Sequence, residues 1–456
     1  MDDFVLTISE HKYLPRGETE LQAVLTVAAG DSPFSGAATT SGLAEVIMVD
    51  TSGSMMIGTK MPEARQATAE AIDVLPDGAL FAIVAGHHEA RMVYPSAPEL
   101  AVAGPGTRDK AKSAVRRLRA YGGTAIGEWL GMARTLLAGR DEEIRHVTLL
   151  TDGQNGERPA VLARVLDECR DVFQCDARGI GEDWNARELI GIAEALRGQA
   201  RAITSDSKLA DEFRSIVETW TTKSVRDLTL RIRLSPFAQL RHFRQVHPVK
   251  ADLGAHSGVG PDGAIHVQTG AWSPGEQREY SLRVAVGDTG DLTDDVLAGR
   301  IDVFTGDEQR AAPALVLVRR VADDYRSVLP DPKLREYSQQ EELSRAIGDG
   351  CGAYVAERRE QAEASFARAV EIAMAAGDQD MLSRLTRVVV IDAGGRVRLR
   401  PDVRVEDLLM LETESQFSQL SREARIPVTG PDVLCPKCKR IARPGAKYCQ
   451  ACRSPL

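Results

Sequence analysis

Three hydrophobic rhythms follow one another along the chain. Phe4, Leu6 and Ile8, and then Leu21, Ala23, Leu25 and Val27, alternate with polar neighbours, the period of a half-buried strand. "DSPFSGAATTSG" breaks that pattern with turn residues. From about 44 to 220 short continuous apolar runs alternate with helical stretches. The runs are "AEVIMVD", "ALFAIVAG", "RMVYP", "HVTLLTDG", "DARGIG" and "RAIT", and the predicted helices cover 60–74, 107–119, 125–138, 157–170, 185–196 and 207–220. Strands buried on both faces and separated by helices predict a mostly parallel, doubly wound sheet. Strict alternation then returns between 224 and 320, at Leu228, Leu230 and Ile232, at Ile265 and Val267, and from Tyr280 to Val286.

Two amino-terminal strands cannot form a stable unit alone. The economical arrangement places 1–43 and 222–322 in one antiparallel β-sandwich, with an α/β unit at 44–221 inserted in it. Residues 333–426 form a helical region, with a hairpin expected around Ala393-Gly394-Gly395. "IPVTGPDV" reads as a linker, and 434–456 as a separate small module.

The chain's 456 residues exceed one ordinary core, and its 43% apolar and 27% charged residues are globular in kind. A net charge of −9 argues against a surface that coats nucleic acid. No apolar run approaches the roughly 20 residues that span a bilayer. "MDDFVLTISEHKYLP" has no basic start followed by an apolar core, so no secretory leader is expected. Of seven cysteines, Cys169, Cys175 and Cys351 are scattered and read as small buried residues. Reduced thiols and a cytoplasmic location are the expectation.

The candidate chemistry gathers at strand ends. In an open α/β sheet, ligands collect beyond the carboxyl ends of the strands, near the switch in strand order. "EVIMVDTSGSMM" delivers Asp50, Ser52 and Ser54 there, "YGGTAIGEWL" offers Thr124, and "HVTLLTDG" ends in Asp152. The same groups could cap helices or turns. Taken together they are all oxygens, which selects a hard cation, Mg²⁺ or Mn²⁺, over zinc or copper. Two aspartates would balance the divalent charge and leave a position open. A metal added at the sheet edge also implies that Asp50→Ala and Asp152→Ala leave the fold intact.

Asp50-Thr51-Ser52-Gly53-Ser54, Thr124 within "GGT" and Asp152 within "TDG" resemble the metal-ion-dependent adhesion site of the von Willebrand factor A (VWA) family. The resemblance covers about 44–220 and matches all five positions in order. It implies a VWA/Rossmann-like fold and metal-dependent binding of a partner protein, whose Asp or Glu completes the metal shell. It also implies a bacterial-type scaffold working beside AAA+ ATPases or kinase and phosphatase components. In better-known relatives the last helix of the fold, here 207–220, shifts when the site takes a ligand.

Cys435, Cys438, Cys449 and Cys452 form two C-x-x-C knuckles ten residues apart, the spacing of a Cys₄ zinc ribbon. Its lysines and arginines read as a solvated face, with one aromatic, Tyr448, and so little provision for base stacking. No phosphate-binding glycine loop and no G-x-S-x-G elbow is present. His87-His88 read as a surface or satisfied pair. The expectation is a non-enzymatic, Mg²⁺-dependent adaptor. The alternatives are a metal-dependent phosphoesterase and a nucleic-acid binder acting through the zinc ribbon.

Overall fold

The computed structural model describes residues 3–15, 17–32, 42–141, 143–203, 209–287, 294–321, 331–392 and 395–419, with two short strands, Val433–Leu434 and Ile441–Ala442. The four carboxyl-terminal cysteines, most of "DSPFSGAATTSG", all but Val433 of the linker and the tip residues Ala393 and Gly394 lie outside them.

The chain opens with β1 (Phe4–Glu10), β2 (Tyr13–Pro15) and β3 (Glu20–Ala29). The α/β unit follows, from β4 (Leu43–Asp50) through α1 (Lys60–Val74), β5 (Leu80–Gly86), β6 (Ala90–Tyr94) and β7 (Ala101–Val102) to α2 (Pro105–Val115). It continues with α3 (Ile126–Leu137), β8 (Ile144–Thr151), α4 (Pro159–Cys169) and β9 (Gln174–Ile180). Then come α5 (Ala186–Ala195), β10 (Ala200–Ile203) and α6 (Leu209–Thr221).

The sheet order is β10-β9-β8-β4-β5-β6, with β7 also on β5. The five strands from β10 to β5 are parallel, and β6 and β7 run antiparallel to β5. β4 is buried along its whole length because helices cover both faces. Its Leu43, Ile47 and Val49 pack toward α1, α2 and α6, while Ala44, Val46 and Met48 pack toward α3, α4 and α5. The period of two carried by one strand thus feeds two cores. The stripe Leu209, Phe213, Ile216, Val217 and Trp220 buries α6 against the first of them.

Between α6 and residue 321 the described residues form β11 (Thr229–Leu234), β12 (Ala238–His247), β13 (Ala251–Asp252), β14 (Ser257–Val259), β15 (Ile265–Gln268), β16 (Gln277–Val286), β17 (Val296–Thr305), β18 (Glu308–Gln309) and β19 (Ala314–Val321). One sheet runs β1-β3-β16-β12-β13 and a second runs β14-β15-β11-β17-β19-β2. Segments before and after the α/β unit therefore share a sheet, with Leu25 opposite Tyr280. Leu21, Leu25 and Leu282 from the first sheet meet Leu230, Ile301 and Val316 from the second in one core. The pairing is not wholly antiparallel: β2 lies parallel to β19, with Tyr13 beside Arg319. β2 is a three-residue edge strand ending in Pro15, whose missing N–H an edge tolerates.

The remaining elements are α7 (Pro332–Val355), α8 (Arg359–Ala376), α9 (Gln379–Val388), β20 (Val389–Ile391), β21 (Val397–Leu399) and α10 (Val405–Glu414). Caps explain their ends. Asp331 accepts from Lys333 N and Leu334 N at the start of α7, and Gly377, with φ of +71°, closes α8. β20 and β21 pair antiparallel as the expected hairpin.

A buried polar chain ties α6 to the sheet. His146 Nδ1 lies 2.7 Å from Glu45 Oε2, and its Nε2 lies 3.5 Å from Asp176 Oδ2. The Trp220 ring stacks on His146 at 3.9 Å and its N–H donates to Asp176 at 2.9 Å. Burial alone would depress the imidazole's pKa, but Glu45 and Asp176 outweigh it and hold the group above its ordinary 6.5. A raised folded-state pKa stabilises the fold fully below the unfolded value, and that stabilisation is lost as pH rises through the folded value. Urea unfolding between about pH 6 and 9 should therefore show a loss of stability in the wild type that is smaller in His146→Gln. Parallel pH profiles for the two proteins would contradict this.

Candidate metal centre

β4 and β8 lie side by side, yet the chain leaves β4 toward β5 and returns to β8 on the other side. Their carboxyl ends are therefore a switch point in strand order, where helices diverge and a crevice opens. Val49 pairs with Leu150, which places Asp50 and Asp152 at neighbouring strand ends.

The first loop is built on Asp50. Its Oδ1 accepts from Ser52 N at 2.7 Å, closing an Asx turn that points the following hydroxyls inward. Thr51 N donates to Gly86 O at 2.7 Å, extending the β4–β5 ladder by one residue. Met55 is buried and anchors the turn Gly53–Met56 in the core. Ser52 Oγ and Ser54 Oγ are 2.9 Å apart, and Ser54 Oγ donates to Asp152 Oδ1 at 2.7 Å.

The second loop is sewn to the first by two backbone bonds, Gly53 N to Gly122 O at 2.9 Å and Tyr121 N to Thr51 O at 2.7 Å. Gly122 has φ of +81°, and a Cβ there would stand 2.5 Å from the His88 ring. Glycine is thus required for the turn that delivers Thr124. His87 is a satisfied histidine: its Nδ1 accepts from Glu89 N and its Nε2 pairs with Tyr121 Oη at 2.8 Å.

The third loop carries Asp152 and then caps α3. Asn155 Oδ1 accepts from Ile126 N at 3.1 Å, and Glu157 Oε2 from Gly127 N at 2.6 Å. α1 starts after Thr59 without a side-chain cap. The hydroxyls of Ser52, Ser54 and Thr124 are therefore not spent on helix termini.

All five predicted residues converge. A Cβ placed on Gly153 would lie 3.4 Å from Ser54 Oγ and 3.5 Å from Thr124 Oγ1, so the missing side chain leaves a small cradle between the two hydroxyls. Asp50 and Asp152 are both fully buried. Burial raises the pKa of Asp50, and the charge of Asp152 raises it further against the hydrogen bonds from Ser52 and Thr151. A cation between them would relieve both effects. Among the described residues no three His, Cys, Asp or Glu side chains converge to hold a metal. A cation here would need the hydroxyls, and the donor set fits a hard divalent ion.

Two residues of the centre were not read from the sequence. Thr151 Oγ1 donates to Asp50 Oδ2 at 2.6 Å, locking one carboxylate oxygen. Lys60, the first residue of α1, places its ammonium 2.7 Å from Asp152 Oδ2. The expected balance of two aspartates against a divalent ion therefore omits one positive charge. The expectation of an added site independent of the fold also needs correcting at Asp50, which accepts from Ser52 N, Thr151 Oγ1 and Asp152 N and joins two central strands.

A parallel sheet with helices on both faces and a hydroxyl–carboxylate crevice at its switch point defines a von Willebrand factor type A fold. The von Willebrand factor type A domain model matches residues 44–202. A solved von Willebrand factor type A protein from Catenulispora acidiphila is 35% identical, with 91% of this chain and 97% of that one covered, at a TM-score of 0.84. The chain belongs to the von Willebrand factor type A family. The ArnB paralog VWA2 of Sulfolobus acidocaldarius shares the fold at a TM-score of 0.56 and 14% identity, over 91% of this chain and 99% of that one. An uncharacterized protein of Synechocystis sp. is 28% identical over 217 residues, 45% of this chain. The chain spans about half the length of that curated relative, 49%.

Asp50→Ala would strand three buried donors, and should lower the unfolding free energy by about 2–3 kcal/mol in urea titrations. Stability equal to wild type would show that the first loop holds itself together without the carboxylate.

Proposed function

We propose that the chain is a metal-dependent protein-binding module in which Asp50, Ser52, Ser54, Thr124 and Asp152 form a metal-ion-dependent adhesion site. The ion is Mg²⁺ or Mn²⁺, and its open position takes an Asp or Glu of a partner protein. The observation that carries the reading is the cradle beside Gly153, lined by the hydroxyls of Ser54 and Thr124, neither of which caps a helix, and backed by two buried carboxylates. Met56 and Ile57, on the same loop, are 69% and 64% exposed, an apolar flank beside a polar centre. That combination suits recognition of a protein side chain. Binding, not turnover, is the activity we assign. AAA+ ATPases and kinase or phosphatase components are the partner classes to screen.

We read the two facing sheets as a β-sandwich interrupted by the α/β unit, and Cys435, Cys438, Cys449 and Cys452 as the ligands of one structural Zn²⁺. The C-x-x-C spacing supports the zinc reading, because so short a module gains its folding energy from the metal. The free, buried Cys169, Cys175 and Cys351 support a reducing, cytoplasmic setting. Among the described residues no helix is long and apolar enough to cross a membrane.

Gly153→Ala places a methyl group at ordinary contact distance from both hydroxyls. It should leave urea stability within about 0.5 kcal/mol of wild type while weakening Mn²⁺ binding about 10–100-fold. Electron paramagnetic resonance of free Mn²⁺ reads the affinity, and undiminished binding in the variant would overturn the assignment. For the tail, elemental analysis should find about one zinc per chain, lost on deleting 434–456. Zinc-free protein prepared without chelator would remove that assignment.

A further inference from the structure

Lysine is a poor choice for the first position of a helix, because its charge meets the positive end of the helix dipole. α1 nonetheless begins with Lys60, and the N-cap residue Thr59 places no side-chain oxygen on the helix end. Local rules broken in this way are expected where function requires it. Three surrounding features hold the ammonium in place. Asp152 Oδ2 accepts at 2.7 Å, from a carboxylate with no exposed surface. Asp183 stands 3.9 Å away on the loop after β9, itself largely exposed. Gly181, with φ of +72°, turns that loop so closely over the lysine that a Cβ would lie 3.2 Å from Lys60 Cε and 3.3 Å from Nζ. The lysine is only 13% exposed, so its charge is felt in the crevice and not dispersed into solvent.

The two oxygens of Asp152 are divided between the two halves of the site. Oδ1 receives the Ser54 hydroxyl, on the side of the cradle, and Oδ2 receives Lys60. We propose that Lys60 is a built-in cation that makes metal binding and carboxylate binding depend on each other. Counting only the groups shielded from solvent, Asp50, Asp152 and Lys60, and leaving out the exposed Asp183, whose charge water screens, the centre carries one net negative charge when both aspartates are ionised. A divalent ion turns that into one net positive charge, and an incoming carboxylate brings it to zero. Metal alone is opposed by Lys60, and metal with an acidic ligand is not. The resting protein therefore has a buried carboxylate already paired, and the loaded protein has a charge that only an anion neutralises. This rests on the adhesion-site reading above and adds the residue that sets its order of preference.

The test compares Mn²⁺ affinity, by electron paramagnetic resonance, of wild type, Lys60→Met and Lys60→Arg, each with and without acetate as the carboxylate probe. Chloride at equal ionic strength is the control. Lys60→Met should bind Mn²⁺ alone about tenfold tighter than wild type. Acetate should tighten Mn²⁺ binding about fivefold or more in wild type and Lys60→Arg, and by less in Lys60→Met. Thermal melts in EDTA supply a second readout: Lys60→Met should melt lower than wild type, and Mn²⁺ should restore it. Mn²⁺ affinity in Lys60→Met that is equal to or weaker than wild type overturns the proposal alone, provided that wild-type binding is lost in Asp152→Ala. Absence of Mn²⁺ binding in all three proteins overturns this proposal together with the adhesion-site reading.

Discussion

The structure depends on holding two carboxylates at adjacent strand ends away from bulk solvent. Asp50 and Asp152 are fully buried, and each alone would be costly in so dry a place. Asp50 is made tolerable by donors from its own turn and from β8, through Ser52 N and Thr151 Oγ1. Asp152 is made tolerable by Ser54 and Lys60. Each carboxylate is thus a fastener between segments far apart in sequence. The loops after β4, α2, β8 and β9 are all drawn to one edge by these bonds and by the backbone ties of Gly53 and Tyr121. The crevice is a by-product of that fastening, since three hydroxyls are brought together and helix capping claims none of them.

This arrangement explains why the site could be located in the sequence and why its charge could not. Asp50, Ser52 and Ser54 are spaced on alternate residues of one loop, and Asp152 ends an apolar strand. Both signals are local, and the strand runs that deliver them are buried on both faces as their composition requires. Lys60 gives no such signal. It sits on α1, and its contact with Asp152 lies under a loop that turns at Gly181, more than a hundred residues later. Long side chains from helix ends find partners by tertiary placement, which periodicity does not encode. Thr151 was hidden for another reason. In "HVTLLTD" it reads as a β-branched strand former, and only the β4–β8 register turns its hydroxyl toward Asp50.

The same reasoning separates the elements read correctly from those that were not. The stripe of α6 and the strands of the central sheet follow from apolar spacing alone. The parallel pairing of β2 with β19 does not, because a three-residue strand has too few positions to show a period and its direction is set by where the chain must return. The hairpin of β20 and β21 was legible from glycines flanked by β-branched residues.

The far end of α6 bears on how widely a bound ligand could act. β8 carries His146 near its start and leads directly into Asp152, so one buried strand joins the polar chain under Trp220 to the crevice. The expectation from the family resemblance is that the last helix shifts when the site takes a ligand, with its connection at Ser224 passing the shift on. Here the helix is pinned at its carboxyl end. Trp220 is stacked on a buried imidazole and bonded to a buried carboxylate, and the next turn is fixed by Ser224 N on Trp272 O and by Lys223 on Glu276. Sliding α6 would leave the indole N–H without a partner and remove one donor from Asp176, at about 1–3 kcal/mol. A ligand can move the helix only by binding the shifted state more tightly by at least that amount. On the proposal above, an acidic side chain meeting a metal whose positive charge is reinforced by Lys60 has a nearer outlet for its binding energy. The contacts between Asp152, Ser54 and Lys60 can rearrange within the loops while the helix stays where Trp220 holds it.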